Sequence, residues 1–218
     1  MLVREGRVTL NGRMTRDPET PVQIGRDRVE VDEAAIAELP KVYLVINKPR
    51  GVVTTAADEK GRQTVYDLLD PTLPWAGPVG RLDKASEGLL LMTNDSEWAA
   101  KITDPASHLD KTYHVQVDRV ADEGLVAKIT RGATLDGDRL RIKAARLLRC
   151  GQKNSWLEIV LDEGKNRHIR RLLEALDVEV LRLVRVAVGP LELGDLKKGA
   201  VRKLELREKQ AVDRALRR

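Results

Sequence analysis

The stretch GRLDKASEGLLLMTND, residues 80–95, joins a charged turn to a strongly apolar run. The apolar part is short and bounded by turn residues, which predicts an extended, buried strand over 88–93. The charged part places Asp83 between Arg81 and Lys84. A buried strand needs partner strands and covered faces, so the organisation of the remaining sequence decides the fold.

The remaining sequence supplies several candidate partner strands. TYHVQV alternates with a period of two and places Tyr113, Val115 and Val117 on one face, which we expect to be the core face. The patterns predict strands at 42–46, 112–117, 140–142, 144–148, 156–161 and 178–188, and helices at 96–102, 122–129 and 165–176. Because most strands follow one another through short turns, we expect an α+β fold on a mixed, largely antiparallel sheet.

A separate, basic leader precedes that sheet. In residues 1–39, REGRVTLNGRMT alternates around Asn11-Gly12, a strong hairpin signal, and GRDRVEVD supplies another short strand. The segment KVYLVINKPRGVV then opens with an apolar strand and ends in a basic turn. We therefore predict a small β-rich unit at 1–39 and a larger domain at 40–218.

The composition is that of a globular protein. The 218 residues are 42% hydrophobic and 33% charged, and the net charge of +5 fits a nucleic-acid partner, although many basic proteins bind none. A single cysteine, Cys150, excludes an intramolecular disulfide and a zinc site built on a cysteine pair. No apolar stretch is long enough for a signal peptide or a membrane helix, so we expect a cytoplasmic protein without a membrane partner.

Asp83 has two interpretations. As a structural residue it would cap a short helical turn and pair with Arg81 on the same strand face. As a functional residue it would be a nucleophile or base in a basic pocket made by Arg81 and Lys84, whose charges keep it ionised and attract a phosphate-bearing substrate. Tyr113 is similarly open, because an inward-facing tyrosine is more often a core residue than a functional one.

The segment EGKNRHIRRLLEAL, residues 163–176, forms an amphipathic helix on a helical wheel. Its apolar residues share one side, and Arg167 and Arg171 lie opposite them. Arg170 lies between the two faces, where its guanidinium could offer a bidentate fork to a carboxylate such as Asp83. The alternative is a solvated basic face on an ordinary helix.

Motifs for metals and cofactors are missing from the sequence. His108, His114 and His168 are scattered along the chain. A Gly-rich phosphate loop, a dinucleotide fingerprint and a Ser-His-Asp set with identifiable roles are not found either. We therefore expect neither a metal nor a cofactor.

Three segments, in order, resemble the main motifs of bacterial ribosomal-RNA pseudouridine synthases of the RsuA/RluB type: GRLDKASEGLLLMTND, KTYHVQV and EGKNRHIRR. NKPRGVVTT and LRLVRVAVGPLELGDLKKG are similar to that family's opening strand and closing segment. The leader resembles the second half of the RNA-binding module named after a small-subunit ribosomal protein, without its usual first half. Either the module is reduced, or the sequence is truncated or its start site misassigned.

The resemblance implies a role for each matched residue. Asp83 would be the catalytic aspartate, Tyr113 the tyrosine lying against the target base, and Arg170 the partner of Asp83. The family isomerises uridine in place: the bond from ribose to the ring nitrogen breaks, the uracil turns, and the sugar is rejoined through carbon 5, without metal or cofactor. Whether the aspartate attacks the sugar or removes a proton stays open. His168 stands where the family commonly has Gln or Glu.

RNA binding follows from the same resemblance. A uridine in folded RNA must be extruded before its glycosidic bond is reachable, which costs a few kcal/mol that basic side chains offset. The side chains expected to hold flanking phosphates are Lys48, Arg50, Arg81, Lys84, Arg167 and Arg171.

We therefore expect a monomeric pseudouridine synthase that acts on ribosomal RNA, free or in an assembling subunit, with large-subunit RNA favoured over small-subunit RNA. The alternative is a catalytically idle RNA-binding or ribosome-assembly factor on the same fold. A glycosidase would need a second carboxylate paired with Asp83, for which Glu87 is a loose candidate.

Overall fold

The computed structural model describes residues 2–23, 25–35 and 39–217. They form two units, one ending at Pro40 and the other beginning at Lys41. The first unit contains a four-stranded sheet, and the second is built on a larger mixed sheet. The assignment of the first unit to an RNA-binding module stays a prediction.

The N-terminal unit is an antiparallel sheet in the order β2-β1-β3-β4. Its strands are β1 (Val8–Leu10), β2 (Arg13–Thr15), β3 (Val29–Val31) and β4 (Ala34–Ala35). Asn11 and Gly12 join β1 to β2 with φ angles of 52° and 77°. A two-residue turn of type I′ requires positive φ at both positions, which asparagine and glycine tolerate best. The predicted hairpin is confirmed.

The larger unit contains the remaining described elements. Its strands are β5 (Tyr43–Lys48), β6 (Gly77–Pro78), β7 (Glu87–Thr93), β8 (Lys111–Val117), β9 (Ala133–Leu135), β10 (Asp138–Leu140), β11 (Ala144–Cys150), β12 (Ser155–Leu161), β13 (Val180–Val188), β14 (Leu191–Glu192) and β15 (Val201–Lys203). Its helices are α1 (Ser96–Thr103), α2 (Glu123–Arg131), α3 (His168–Glu174) and α4 (Leu206–Ala215), with 3-10 turns at Val65–Leu68 and Pro105–Ser107. Across the described ranges, every helix is too short or too polar to cross a membrane.

The main sheet has the strand order β11-β12-β8-β13-β7-β5-β15, with β14 on β13 and β6 on β7. Its neighbours pair antiparallel except β13 and β7, which run parallel. Strands β9 and β10 form a separate hairpin. The predicted α+β class and its mixed, largely antiparallel sheet are confirmed.

Burial explains why the apolar run after Asp83 becomes a central strand. Every residue of β7 is buried. Leu89 and Leu91 join one apolar cluster, while Leu90 and Met92 join another. Successive side chains of a strand point to opposite faces, so an uninterrupted apolar run fits a strand covered on both sides.

Local signals set several element boundaries. The Asp95 carboxylate accepts the backbone N–H of Trp98 at 3.2 Å and caps α1, which relieves an otherwise unpaired donor. Helix α3 begins at His168, later than the predicted residue 165, because Arg167 has a left-handed φ of 48°. The strand predicted at 140–142 lies instead at Asp138–Leu140, in the hairpin with β9.

The parallel pair β7 and β13 positions the cavity described next. The two strands pair only through Val184 with Glu87 and Arg185 with Gly88. At Gly88, which has φ of 102°, a Cβ atom would lie 2.2 Å from the backbone oxygen of Arg185. The close approach therefore requires glycine. Beyond this contact the two strands do not pair, and Leu91 of β7 and Val188 of β13 both line the cavity described next.

Candidate active site

A cavity of about 620 Å³ opens where β7 and β13 cease to pair. Most of its lining comes from the loop before β7, strands β8 and β13, and the loop that leads into α3, and the end of α1 also contributes. Leu161, Leu183 and Val188 give it apolar walls, while Asp83 and Tyr113 are among its polar lining residues. The size is ordinary for a pocket that holds a small molecule or an extruded group.

Asp83 lies in the loop between β6 and β7 and is partly exposed to the cavity. The loop is anchored on both sides of it, because Thr54 donates its hydroxyl to the Leu82 carbonyl at 2.9 Å and the Gly51 N–H donates to the Lys84 carbonyl at 2.8 Å. The neighbouring Leu82 side chain is buried. The chain therefore fixes the backbone of Asp83 while leaving its carboxylate at the cavity.

The Asp83 carboxylate makes no hydrogen bond and no ion pair within 4 Å in the part of the chain that the structure describes. Its backbone oxygen accepts the N–H of Ser86 at 2.9 Å, which closes a turn. The capping and Arg81-pairing interpretation therefore finds no supporting contact. The free carboxylate remains able to meet a ligand.

Lys48, predicted to hold a phosphate, is completely buried at the end of β5. Its ammonium donates to the backbone oxygens of Pro49 at 3.0 Å and Val52 at 2.7 Å. Burial lowers the pKa of Lys48 to about 8, against the opposing charges of Asp83 and Glu87. The enclosed ammonium is not accessible to a ligand in this structure, so we do not retain Lys48 among the proposed phosphate ligands. Its charge and that of Asp83 attract each other.

Arg170, predicted to be the partner of Asp83, binds the Asp83 segment through the backbone. It donates from Nη2 to the Ala85 carbonyl at 3.0 Å and from Nη1 to the Val180 carbonyl at 3.4 Å, and its buried Nε has no partner among the described residues. Burial lowers the pKa of Arg170, as do nearby cations, while the charge of Asp83 raises it. Arg170 and Asp83 thus attract each other without a direct ion pair.

Tyr113 lies on the face of β8 that lines the cavity. It is cross-strand partner to Ile159 on β12 and to Arg185 on β13. Tyr113 packs against two apolar clusters, one formed around β8, β12 and α3 and the other around β5 and β7. The structure therefore brings Tyr113 and Asp83 to one cavity, with an apolar wall beside them.

Of the remaining predicted phosphate ligands, Arg81 and Arg167 are exposed and line the cavity. Lys84 and Arg50 are exposed too, and Arg50 donates to the Leu181 carbonyl at 3.4 Å. These four side chains are accessible to an anion.

Arg171, also predicted to hold a phosphate, faces the β9–β10 hairpin instead. Its Nη2 donates to the Asp138 carboxylate at 2.9 Å and to the Leu135 carbonyl at 3.4 Å. Arg171 does not line the cavity. Because an ion pair within the fold engages the guanidinium, we do not retain Arg171 among the proposed phosphate ligands.

Glu87 does not form a carboxylate pair with Asp83. Its side chain is 3% exposed and is bound by Arg182 at 3.1 Å and by Lys198. Burial raises the pKa of Glu87, and the hydrogen bonds from Arg182 and Lys198 outweigh it, so the pKa falls below its ordinary value. Since Glu87 lies outside the cavity lining, the carboxylate that the sequence offered as a partner for Asp83 in a glycosidase is not at the cavity.

Lys111, Arg185 and His168 are among the cavity residues that sequence reasoning missed. Lys111 lies two residues before Tyr113, so the alternation of the strand already predicts that the two side chains share a face. Arg185 is a charge inside an apolar strand. His168 is 3% exposed and neither ring nitrogen has a hydrogen-bond partner among the described residues; burial lowers its pKa.

The described residues contain no group of three or more His, Cys, Asp or Glu that could hold a metal. The titratable groups that line the cavity include two carboxylates, Asp83 and Glu163, the Tyr113 phenol and several cations. A carboxylate next to cations in a partly apolar pocket can attack an electrophilic carbon or remove a proton.

A family model and two related proteins match most of this chain. Residues 42–175 match the family model described as RNA pseudouridylate synthase. The ribosomal large subunit pseudouridine synthase B of Bacillus subtilis is 36% identical over 205 residues, covering 93% of this chain and 84% of the Bacillus protein. An uncharacterized RNA pseudouridine synthase of Aquifex aeolicus is 36% identical over 204 residues, covering 93% of this chain and 82% of its own length.

A solved structure extends the likeness to three dimensions. A crystal structure of a pseudouridylate synthase superposes with a TM-score of 0.71 at 27% identity, covering 97% of this chain and 90% of that one. The family match spans more than half of the chain, and the relatives span nearly all of it. The chain therefore belongs to the RNA pseudouridylate synthase family, whose members are isomerases, and it is of the RsuA/RluB type.

Proposed function

We propose that this enzyme converts a specific uridine of ribosomal RNA, with large-subunit RNA favoured, to pseudouridine, and that Asp83 is its catalytic carboxylate. The observation that carries the proposal is the free Asp83 carboxylate, which lies on a fixed loop at the cavity. The name of the Bacillus relative supports the large subunit as its target. We further propose that the enzyme acts as a cytoplasmic monomer.

The reaction places two requirements on Asp83. The carboxylate must be ionised, and it must reach the ribose of an extruded uridine, either to attack C1′ or to remove a proton from C2′. The Asp83 charge is attracted by the buried ammonium of Lys48 and by the Arg170 guanidinium. Arg170 also holds the Ala85 carbonyl, so it fixes the loop that carries Asp83.

Tyr113 would lie against the uracil. A base that has left the RNA stack loses its stacking partners, and an aromatic ring in the receiving pocket replaces part of that contact. The apolar wall beside Tyr113 excludes water during the turn of the base. We assign Tyr113 the role of holding the ring near Asp83.

The exposed cations around the cavity would hold the RNA backbone. Arg50, Arg81, Lys84 and Arg167 are the retained candidates, since each is exposed. Phosphate contacts position an RNA without reading its sequence, and their contribution weakens as salt rises. The N-terminal unit is the second candidate for RNA contact, as its resemblance implies.

Pseudouridine mapping tests the proposal. Ribosomal RNA from cells that lack the gene is treated with carbodiimide and read by primer extension, after complementation with wild type, Asp83→Asn or Asp136→Asn. Asp136 is an exposed carboxylate in the β9–β10 turn, outside the cavity, so it is the matched control. We expect one modified position to vanish in the deletion and to return with wild type and Asp136→Asn only.

Two other outcomes would redirect the proposal. If Asp83→Asn restores the modification, Asp83 is not the catalytic group. If no ribosomal position changes in the deletion, ribosomal RNA is not the substrate, and a binding or assembly role becomes the better account.

A further inference from the structure

The inner wall of the cavity carries two cations that no role assigned above uses. Lys111 on β8 and Arg185 on β13 both line the cavity, on the face that also carries Tyr113. Arg185 is the cross-strand partner of Tyr113, which places their Cβ atoms about 5 Å apart. Lys111 stands two positions before Tyr113 on the same strand, and so on the same face.

A β-bulge in β13 brings Val188 to the same face as Arg185, opposite Lys111. The pairing of β13 with β8 shifts its register between Arg185 and Ala187, so that Val188 stands opposite Lys111. Without the shift, Arg185 and Val188 would point to opposite faces of the sheet, because side chains alternate along a strand. Bulges of this kind re-aim side chains and are frequent beside active sites.

Neither cation has a carboxylate partner within 4 Å in the described part of the chain. Lys111 Nζ makes a long 3.4 Å contact with the backbone oxygen of Asp162. The adjacent Asp110 carboxylate is taken by Lys143 at 2.8 Å. The two cations also act on each other, since burial and then the charge of Arg185 lower the pKa of Lys111.

Arg185 is 7% exposed, and only its Nε donates within the fold, to the Leu89 carbonyl at 2.7 Å. Its two Nη groups have no partner among the described residues, yet they are not among the fully enclosed unpaired atoms. They therefore contact the cavity space. The charges of Asp162 and Asp110 raise the pKa of Lys111 without forming an ion pair with it, and Arg185 has no carboxylate partner within 4 Å among the described residues. Two like charges held close together in a partly buried site favour a ligand that brings negative charge.

The negative charge of the ligand must arise on the base. Phosphates are strongly hydrated and meet the exposed Arg81 and Arg167 at the rim. The cations lie instead among apolar groups such as Leu161 and Leu183, where a flat ring fits. Uracil is neutral in the substrate, and it gains charge only when the C1′–N1 electron pair leaves with N1 and spreads over O2 and O4.

We propose that Lys111 and Arg185 are catalytic residues that stabilise the uracil anion as it leaves the sugar. The inference rests on the proposed function. As the C1′–N1 bond breaks, C1′ forms a bond to the Asp83 carboxylate, or C2′ gives a proton to it. The ring then turns, and an electron pair from C5 forms the C1′–C5 bond while the first change at the sugar is reversed. The C5 proton is lost and N1 gains a proton, so the ring ends neutral.

A preorganised cation pair favours the charged intermediate over the neutral substrate, so its removal lowers the rate of bond breaking more than it weakens RNA binding. The test uses the full-length enzyme and the ribosomal RNA segment identified by mapping. Single-turnover rate and RNA Kd are measured for Lys111→Met and Arg185→Gln. Lys111→Arg and Arg185→Lys keep the charge, and Lys128→Met on the exposed face of α2 is the matched control.

The distinguishing readout is a second RNA with 5-fluorouridine at the target position. Fluorine withdraws electron density and stabilises the uracil anion. The rate of bond breaking in this substrate therefore depends less on the two cations. We expect Lys111→Met and Arg185→Gln to slow consumption of uridine roughly 100-fold and of 5-fluorouridine only roughly 10-fold, with Kd changed less than about threefold. The charge-retaining variants should recover most of the rate.

Equal deficits on the two substrates, or charge-retaining variants as slow as the neutral ones, would show a structural role and overturn the inference. A weaker Kd with an unchanged rate would show a ground-state anion site and overturn it as well. Wild type and Asp83→Asn are run alongside: an inactive wild type would overturn the proposed function itself, whereas active wild type with active Lys111→Met and Arg185→Gln overturns only the inference.

Discussion

Replacement of Lys48 by methionine tests whether burial penalises the charge of the Lys48 ammonium. Lys48 is completely buried, and its pKa falls from the ordinary value of 10.5 to about 8. Each pKa unit corresponds to about 1.4 kcal/mol, so below pH 8 the folded protein carries a penalty of about 3 kcal/mol for keeping this group charged. Methionine has a similar length and no charge.

The sign follows from proton binding. Between pH 8 and 10.5 the unfolded chain holds the lysine proton and the folded chain has lost it, so the free energy of unfolding rises with pH for this group. From pH 7 to pH 10 the wild type should gain about 2.5 kcal/mol relative to Lys48→Met. Other titrating groups are shared by both proteins and cancel in the difference.

The absolute difference at pH 7 combines two opposing effects. Methionine removes the penalty for the buried charge, but it leaves the carbonyls of Pro49 and Val52 without their donor. Each unpaired buried carbonyl costs about 1–3 kcal/mol. We therefore expect near-equal stability at pH 7 and a less stable variant at pH 10.

Urea unfolding followed by tryptophan fluorescence at pH 7, 8, 9 and 10 measures the difference. Lys153→Met is the control, because Lys153 is exposed and its removal should change stability little at any of these pH values. A difference between wild type and Lys48→Met that stays flat across this range would refute the claim that burial penalises the Lys48 charge.

Two further substitutions test the packing around the cavity. Gly88→Ala should destabilise the protein by roughly 3 kcal/mol or more, because the new Cβ would lie 2.2 Å from the Arg185 backbone oxygen at a positive φ. The control is Gly199→Ala, which is also at positive φ but has no backbone clash. It should cost only about 1 kcal/mol in the same urea unfolding assay. Trp98→Phe removes the 2.8 Å hydrogen bond from Nε1 to the Asp213 carboxylate and should cost about 1–3 kcal/mol by thermal unfolding, and an unchanged midpoint would contradict this.

Elements with a strong local signal were predictable from the sequence. The alternation of TYHVQV and the apolar run of β7 fixed two central strands, and Asn11-Gly12 fixed a hairpin turn. These features depend on neighbours within a few residues, where side-chain period and turn geometry decide the structure. The fold class followed from the same patterns.

Pairing between distant segments was not predictable in this way. The parallel contact of Gly88 with Arg185 depends on two strands far apart in sequence, and neither strand carries a local signal for the other. Arg171 was expected to face solvent, and its ion pair with Asp138 requires knowing where the β9–β10 hairpin lies. Lys48 has the sequence of an exposed turn cation and the environment of a core residue.

The same distinction between local signals and long-range pairing applies to the residues of the candidate site. Asp83 and Tyr113 were found because their motifs are local, and the structure places both at one cavity. Lys111 and Arg185 were missed because a single charge in an apolar strand is ordinarily assigned to the solvent face. The cross-strand pairing of Arg185 with Tyr113, which the sequence does not display, places it on the cavity face.

The short parallel contact between β7 and β13 also bears on how the enzyme is made. Asp83 and Tyr113 are synthesised early, but the wall of the cavity that faces them comes from β13, near the end of the larger unit. Contacts between segments so far apart form slowly, because the long intervening loop must first be closed. A nascent chain that ends before β13 therefore holds the proposed catalytic carboxylate but lacks the strand that brings Leu183, Arg185 and Val188 to the cavity wall.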